Sequence, residues 1–344
     1  MTTVHFCVHD EGDSVGVVVV EGIKAGLLVG EGRPALAFPA PPLHGTSDAW
    51  MMRRQGMAGV FWYGGEWTTE EPKLTGPMDH AFWLGSVVFD GGRSIKGVAP
   101  DLDRHAARCV ESARRMQMKP TMTAVQIEEL CREGIRRMGP EATLYVRPMF
   151  FVRNGLGAAR PDPDSTDFVL AIYDSPLPGF TGFSSCLVPH RRPAPDQAPT
   201  DAKASALYPN SARATVWAIE RGYDQAVICD QNGNVAEFGA SNLMMAKDGV
   251  VITPIPNGTF LNGITRQRVL SLLREDGVEI EERSVRPEEL ETADEIFSTG
   301  NYGKVQPCTN YNGRALQPGP LARRASDLYF AWAEANWRII PTVK

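Results

Sequence analysis

The 344-residue sequence lacks any apolar segment long enough to cross a bilayer, and it lacks an excess of basic charge. Its longest apolar runs, such as Val15–Val20 and Phe168–Tyr173, are far shorter than the ~20 residues that a spanning helix needs. A net charge of -6 argues against non-specific binding to nucleic acid. We therefore expect neither a membrane nor a nucleic acid as a partner.

The six cysteines include no C-x-x-C pair, so in a chain of this length they predict reduced, buried thiols rather than a disulfide framework. Residues 1–13 carry three acidic residues and show no basic region before an apolar stretch, unlike a secretory signal. Both observations predict a cytoplasmic protein. The motif His5-x-Cys7-x-His9 would place three side chains on one face of a strand, but no fourth ligand is evident, and we expect no metal site.

Hydrophobic patterning predicts an α+β protein of two domains behind an N-terminal extension of unknown role, residues 1–56. Residues 57–174 form the smaller α+β domain, with a hairpin at 60–67, helices at 102–116 and 127–138, and strands at 144–152 and 167–173. Prolines and glycines mark residues 175–183 as an inter-domain loop. Residues 184–344 form the larger α+β domain, with two hairpins turning at 231–233 and 247–249 and helices at 210–221, 263–274 and 321–337.

Lys203 is the lysine best placed for chemistry among only eight in the sequence, because small residues flank it just before a predicted helix. Burial would lower the pKa of such a lysine and allow its amine to form a Schiff base with an aldehyde. Glu237 follows a hairpin turn, where a carboxylate can hold a pyridine nitrogen protonated. Taken alone, each residue equally fits a bland alternative: a surface lysine at a helix start, or an exposed hairpin glutamate.

Two features are suited to phosphate. The segment Leu261–Arg266 opens a helix, with Asn262 as its expected N-cap, and the free backbone N–H groups there and the Thr265 hydroxyl can bind an anion. Arg108 lies one helical turn after His105, where its guanidinium could grip a phosphate with a fork of donors. An unliganded cap and a solvated arginine are the alternatives.

Taken in order, these residues resemble the branched-chain amino-acid aminotransferase family, within the pyridoxal-phosphate enzymes of fold type IV. The resemblance runs from about residue 59 to residue 308. It rests on these motifs: His80-Ala81 with Gly85-Ser86-Val87-Val88-Phe89-Asp90-Gly91-Gly92-Arg93, His105-x-x-Arg108, Tyr145-Val146-Arg147-Pro148, Ala202-Lys203-Ala204 with Tyr208, Val235-Ala236-Glu237 with Ser241-Asn242-Leu243, Leu261-x-Gly263-Ile264-Thr265-Arg266, and Ala293-Asp294-Glu295-Ile296-Phe297.

The resemblance implies a two-domain fold with pyridoxal phosphate between the domains and a ping-pong transamination between an amino acid and a 2-oxo acid. Lys203 matches the catalytic Schiff-base lysine. The residues matching the cofactor site are Arg108, Tyr208, Glu237, Leu261, Gly263, Ile264, Thr265 and Asn301. Those matching the substrate pocket are Phe89, Tyr145, Arg147 and Tyr302, and the backbone of Asn301 and Tyr302 would receive the substrate carboxylate. A homodimer is also implied.

Substrate identity stays open at this stage. Leu84 stands where the family usually has an aromatic residue, which leaves D-amino acids or (R)-amines as alternative substrates. Aminodeoxychorismate lyase is a third activity on the same scaffold, and a non-catalytic ligand-binding paralogue is the alternative from another class. Arg147 favours an acceptor with a second carboxylate, such as 2-oxoglutarate, although an arginine here could instead form a structural ion pair.

Overall fold

The computed structural model describes residues 5–7, 17–19, 58–157 and 159–340. Its contacts divide the chain into two units, residues 1–52 and 53–344. In the first unit, strand β1 (His5–Cys7) pairs antiparallel with strand β2 (Val17–Val19). His9 lies outside the described residues, so the expectation that its motif binds no metal stays a prediction.

The first part of the second unit is built around a six-stranded antiparallel sheet, called here the smaller sheet. Its strands run in the order β4-β3-β8-β7-β5, and β6 pairs with another part of β7. The elements of this part are β3 (Gly59–Tyr63), β4 (Glu66–Thr68), α1 (His80–Leu84), β5 (Val87–Phe89), β6 (Gly92–Ile95), α2 (Leu102–Arg115), α3 (Ala124–Met138), β7 (Thr143–Val152), a 3-10 turn (Pro163–Ser165) and β8 (Thr166–Asp174).

Local sequence accounts for the helices that cover this sheet. In α2, apolar residues recur every three or four positions and are buried, as Leu102, Ala106 and Cys109 show. Helix α3 begins at a capping box in which the Thr123 side chain accepts from Gln126 N and the Gln126 side chain accepts from Thr123 N. Because this cap lies ahead of the apolar pattern, the helix includes three more residues at its start, and α3 begins at Ala124 and not at the predicted residue 127.

The second part contains a nine-stranded mixed sheet, called here the larger sheet, with the order β11-β10-β9-β16-β15-β12-β13-β14 and β17 paired to β16. Both predicted hairpins are present, because β10 pairs with β11 and β12 with β13 in antiparallel fashion. The elements are β9 (Phe183–Arg191), a 3-10 turn (Ser205–Leu207), α4 (Tyr208–Ile219), β10 (Gln225–Cys229), β11 (Val235–Phe238), β12 (Asn242–Lys247), β13 (Val250–Pro254), α5 (Ile264–Glu275), β14 (Ile280–Arg283), α6 (Pro287–Leu290), β15 (Glu295–Gly300), β16 (Lys304–Tyr311), β17 (Arg314–Ala315) and α7 (Pro320–Asn336).

The two sheets have separate hydrophobic cores. Helices α2 and α3 bury their apolar faces against the smaller sheet, and α5 and α7 bury theirs against the larger one. The segment between β9 and α4 joins the sheets, since its Ala204 forms an antiparallel bridge with Val88 of β5. This crossing carries Lys203 to the place where the two sheets meet. The domain boundaries predicted at residues 57, 175 and 184 stay predictions.

The described helices are all too short or too polar to cross a membrane. Cys109, Cys131, Cys186, Cys229 and Cys308 are buried free thiols, as the scattered cysteine pattern predicts.

Candidate active site

Lys203 is held by backbone contacts to the part of the chain around the smaller sheet. Its amide N–H donates to Ser112 Oγ of α2 at 3.0 Å, and its carbonyl accepts from Phe89 N of β5 at 3.1 Å. The half-buried side chain places Nζ 4.8 Å from the centre of the Phe89 ring. The ammonium donates to Tyr208 Oη at 2.7 Å. Lys203 is therefore fixed at both ends, unlike a surface lysine.

The pKa of Lys203 is raised, opposite to the direction expected from the sequence. Burial lowers it, and the charge of Arg108 lowers it further. Interactions with the hydroxyl groups of Tyr208 and Tyr145 and with the Asp90 carboxylate outweigh both. The sequence indicates the effect of burial on this pKa, but it does not show which charged and hydroxyl groups lie near the lysine.

Glu237 lies on β11 and its side chain is only 12% exposed, so the exposed-hairpin alternative is wrong. Its Oε1 is 3.3 Å from Arg192 Nε, and its Oε2 accepts from Asn242 Nδ2 at 3.4 Å. Burial raises the pKa of Glu237 from 4.5 to about 7, although the charges of Arg192 and Lys203 lower it. The charge of Lys203 therefore acts on the protonation of the Glu237 carboxylate.

Asn242 connects Glu237 to the start of α5. Besides the contact with Glu237, its Nδ2 donates to the Leu261 carbonyl at 3.0 Å, and its Oδ1 accepts from Gly263 N at 3.1 Å. A side chain at position 263 would overlap the Asn242 amide, so glycine is required there by close approach. Asn242 appeared in the sequence motif, but no pattern in the sequence indicated this bridging role.

The expected N-cap of α5 is wrong. Helix α5 starts at Ile264 with Gly263 as its N-cap residue and no side-chain cap. Asn262 instead accepts from Arg266 Nη1 at 2.9 Å through its Oδ1. The N–H groups of a first helical turn have no partner within the helix, so those of Ile264 and Thr265 are free to bind an anion.

Arg108 does not present an open fork. Its Nε and Nη2 donate to the two carboxylate oxygens of Asp90 at 2.7 and 2.9 Å. His105 also contacts Asp90, with Nδ1 2.7 Å from Oδ1. Because burial lowers the pKa of His105, the ring is neutral near pH 7 and donates from Nδ1 to the carboxylate. The fork is therefore filled by Asp90, and Nη1 remains to reach a phosphate.

Asp90 is fully buried, yet it is ionised. Burial raises its pKa, but the charge of Arg108 and hydrogen bonds from Arg108 and His105 hold the pKa of Asp90 well below its ordinary range. Asp90 and His105 both occur in the sequence motifs, but the sequence alone indicates no role for either. The signal available was the spacing of His105 and Arg108, which puts both on one face of α2.

Aromatic and cationic side chains of β6, β7 and β8 meet at one place. The rings of Tyr145 and Tyr173 stack with centroids 5.7 Å apart. The Arg147 guanidinium lies 5.0 Å from the centre of the Tyr145 ring, and its Nη2 donates to Tyr173 Oη. Arg93 lies 5.9 Å from Tyr145 and 5.0 Å from Tyr302, measured to the ring centres. None of the ion pairs among the described residues involves Arg147, so the structural ion-pair alternative is not supported.

Comparison with known proteins identifies the family. The model of amino-transferase class IV matches residues 87–311. The chain belongs to the class IV aminotransferases. It is 31% identical over 288 residues to the branched-chain-amino-acid aminotransferase of Escherichia coli, covering 79% of this chain and 92% of that one. It is 31% identical over 304 residues to the corresponding enzyme of Pseudomonas aeruginosa, covering 82% and 97%.

Solved structures agree. An aminotransferase from Brucella abortus bound to pyridoxal phosphate superposes with a TM-score of 0.79 at 45% identity, covering 80% of this chain and 99% of that one. The Escherichia coli branched-chain enzyme gives a TM-score of 0.75 at 28% identity, covering 80% and 94%. The family resemblance, the α+β fold type IV architecture and the aminotransferase activity predicted from the sequence are confirmed. The individual roles of the site residues stay predictions.

Proposed function

We propose that this enzyme transfers amino groups between branched-chain L-amino acids and 2-oxo acids, with glutamate and 2-oxoglutarate as the other pair. The observation that carries the proposal is the contact of Lys203 with Tyr208, together with the largely buried carboxylate of Glu237, on which the charge of Lys203 acts. The comparisons support the substrate class, because the curated relatives are named for branched-chain amino acids.

The cofactor is pyridoxal phosphate, and the residues of the site fit it. The lysine amine, the phenol of Tyr208 and the carboxylate of Glu237 supply one group each for its aldehyde, phenolic oxygen and ring nitrogen. Arg108 Nη1 and the first N–H groups of α5, at Ile264 and Thr265, would hold the phosphate. Leu261, Gly263 and Asn301 complete the proposed cofactor set.

When bound, this cofactor supplies an electron sink that stabilises negative charge at the substrate α-carbon. In its uncharged form, the Lys203 amine would act as the base that removes the α-proton, and the ammonium so formed would be the acid that returns it. Glu237 would be kept ionised by a protonated ring nitrogen, because that positive charge would oppose the effect of burial on its pKa. Tyr208 accepts a hydrogen bond from Nζ and would hold the amine in place.

The cationic and aromatic group on β6, β7 and β8 would receive the substrate. Arg147 places a guanidinium group beside Tyr145, which suits the second carboxylate of glutamate and 2-oxoglutarate. The rings of Phe89 and Tyr208, with centroids 5.1 Å apart, offer apolar surface to a branched side chain. The backbone of Asn301 and Tyr302 would receive the carboxylate next to the α-carbon.

We further propose a homodimer. Met78, Phe82 and Trp83 are 88%, 66% and 58% exposed, and all three lie within or just before the short helix α1. A second copy of the chain would cover them. We place the protein in the cytoplasm, which the five unpaired buried cysteines support.

The test is the absorption spectrum of the purified protein loaded with pyridoxal phosphate, with Lys203→Ala as the variant and Lys247→Ala as the control. Lys247 is a surface residue paired with Asp294. We expect visible absorption that bleaches with L-leucine and with L-glutamate in the wild type and the control. Without its base, the Lys203→Ala variant should lose transamination by at least about a hundredfold.

Bleaching with D-alanine alone would move the substrate to D-amino acids. Release of pyruvate from aminodeoxychorismate without an amino acceptor would instead indicate the lyase. A protein that stays colourless after loading would refute the cofactor assignment and favour a ligand-binding paralogue.

A further inference from the structure

Lys304 is a buried lysine that the proposed mechanism does not use. It opens β16 and is 1% exposed, whereas the side chain of the surface residue Lys119 is 72% exposed. Its backbone is in the left-handed region, with φ of 60°, which is uncommon for a residue other than glycine. Moving an ammonium group out of water is strongly unfavourable, so a lysine in this position needs partners that compensate.

The partner of Lys304 is the side chain of Asn301. Lys304 Nζ donates to Asn301 Oδ1 at 2.8 Å, and Asn301 Nδ2 donates to the Gly92 carbonyl at 3.2 Å. An ammonium group can only donate, so Lys304 fixes which end of the amide faces Gly92. Residues 301–303 form the turn between β15 and β16 of the larger sheet, and Gly92 begins β6 of the smaller sheet. The lysine thus ties this turn to the other sheet.

The same turn is the segment proposed to receive the substrate carboxylate, and the tie lies close to the proposed pocket. A Cβ atom on Gly91 would lie 3.1 Å from Asn301 Nδ2 and would overlap the Tyr145 hydroxyl. The Asn301 amide and the Tyr145 phenol therefore approach the same stretch of backbone. A displacement of the turn would change its distance from Tyr145 directly.

Lys304 also adds charge at this place. Burial and the nearby positive charge of Arg93 together lower the pKa of Lys304 to about 7, although the charge of Asp101 raises it. Arg93 is fully buried; its Nη1 donates to the Ser175 carbonyl, and its Nε has no hydrogen-bond partner among the described residues. Near pH 7 Lys304 is only partly protonated, and an anion bound beside it and the Arg93 Nε would favour the charged ammonium.

We propose that Lys304 is a positioning residue for the substrate carboxylate: it locks the Asn301 amide onto Gly92 and adds buried positive charge beside the 301–303 turn. This inference rests on the proposed function, because it assumes that the turn receives that carboxylate. It assigns to Lys304 an effect on carboxylate binding and none on the reacting atoms.

The test compares two probes on the pyridoxal-phosphate-loaded enzyme, 4-methylvalerate and its neutral amide, neither of which carries an α-amino group. Binding is followed through the absorption of the cofactor. In Lys304→Met, the Kd of the carboxylate should rise at least about tenfold, whereas that of the amide should change less than about twofold. The control Lys247→Met replaces a surface lysine of the same sheet and should leave both constants unchanged.

Equal weakening of the acid and the amide would overturn the inference, because it would mean a general loosening of the site. An unchanged Kd for the acid would overturn it as well. If Lys304→Met does not fold, Lys304→Gln keeps a donor to Asn301 but removes the charge, and the same criteria apply to it. A colourless wild-type protein would refute the proposed function itself, whereas a coloured enzyme with equal constants refutes only the role of Lys304.

Discussion

Replacing Asp90 by Asn should destabilise the protein and weaken cofactor binding together. Asp90 is fully buried and accepts two hydrogen bonds from Arg108 and one from His105. Asparagine has nearly the same size, but it leaves the Arg108 guanidinium, whose side chain is only 20% exposed, without a counterion. Removing one partner of a buried pair costs about 3–5 kcal/mol. For a unit of roughly 290 residues, this corresponds to a fall in Tm of about 5–8 °C.

The assay is thermal unfolding of wild type and variant, followed by titration of each with pyridoxal phosphate. Since Asp90 holds two of the donors of Arg108, we expect Kd for the cofactor to rise at least about tenfold in Asp90→Asn. Glu133→Gln is the matched control, because it breaks an exposed carboxylate–arginine pair on α3, with Arg137, that is worth less than about 1 kcal/mol.

The pH dependence gives a second check. The pKa of Asp90 is depressed in the folded protein, so its stabilising effect is present above its unfolded pKa, about 3.9, and is lost as the pH falls below it. The stability difference between wild type and variant should therefore be constant near neutrality and shrink below about pH 4. A Tm for Asp90→Asn within 2 °C of that of Glu133→Gln would refute the reasoning.

Two further predictions concern Glu237 and the exposed apolar residues at α1. Burial raises the pKa of Glu237 to about 7, so the unloaded wild type should lose stability as the pH rises from 4.5 through 7. Glu237→Gln should avoid that loss, so at pH 8 its free energy of unfolding in urea should exceed that of the wild type by roughly 3 kcal/mol. Its turnover should fall on the order of a hundredfold. A difference in stability that does not vary with pH would contradict this. Phe82→Glu should convert a dimer to a monomer in light scattering, whereas Val125→Glu, at an exposed site on α3, should not; a wild-type monomer would exclude the dimer.

Sequence patterns predicted the helices and strands more accurately than they predicted the charge interactions within the site. The helices and hairpins follow from local periodicity and turn residues, which is why the α2 and α3 helices and both hairpins of the larger sheet lie where expected. The predicted direction of the Lys203 pKa shift and the predicted N-cap of α5 were wrong, because each depends on residues distant in sequence. Tyr145 and Asp90 reach the lysine only in the folded chain.

Motif order carried the family assignment, but it could not supply the contacts that give the motifs their roles. The sequence singles out Arg108 by its position, yet the fork of its guanidinium is occupied by Asp90, eighteen residues earlier. Lys304 shows the opposite case. A lysine in a turn normally predicts a solvated charge, and only the packing of both sheets around this turn makes it a buried one.

The attachment of Lys203 makes the site sensitive to shear between the sheets. Its backbone is anchored to α2 and β5, whereas Glu237 is carried by β11 of the larger sheet. A sliding movement of one sheet past the other would therefore move Lys203 away from Glu237 without breaking a covalent bond or unfolding a strand. The turnover rate should therefore depend on how the two sheets are aligned. Substitutions at the Val88–Ala204 bridge, which lies outside the pocket, should change that rate.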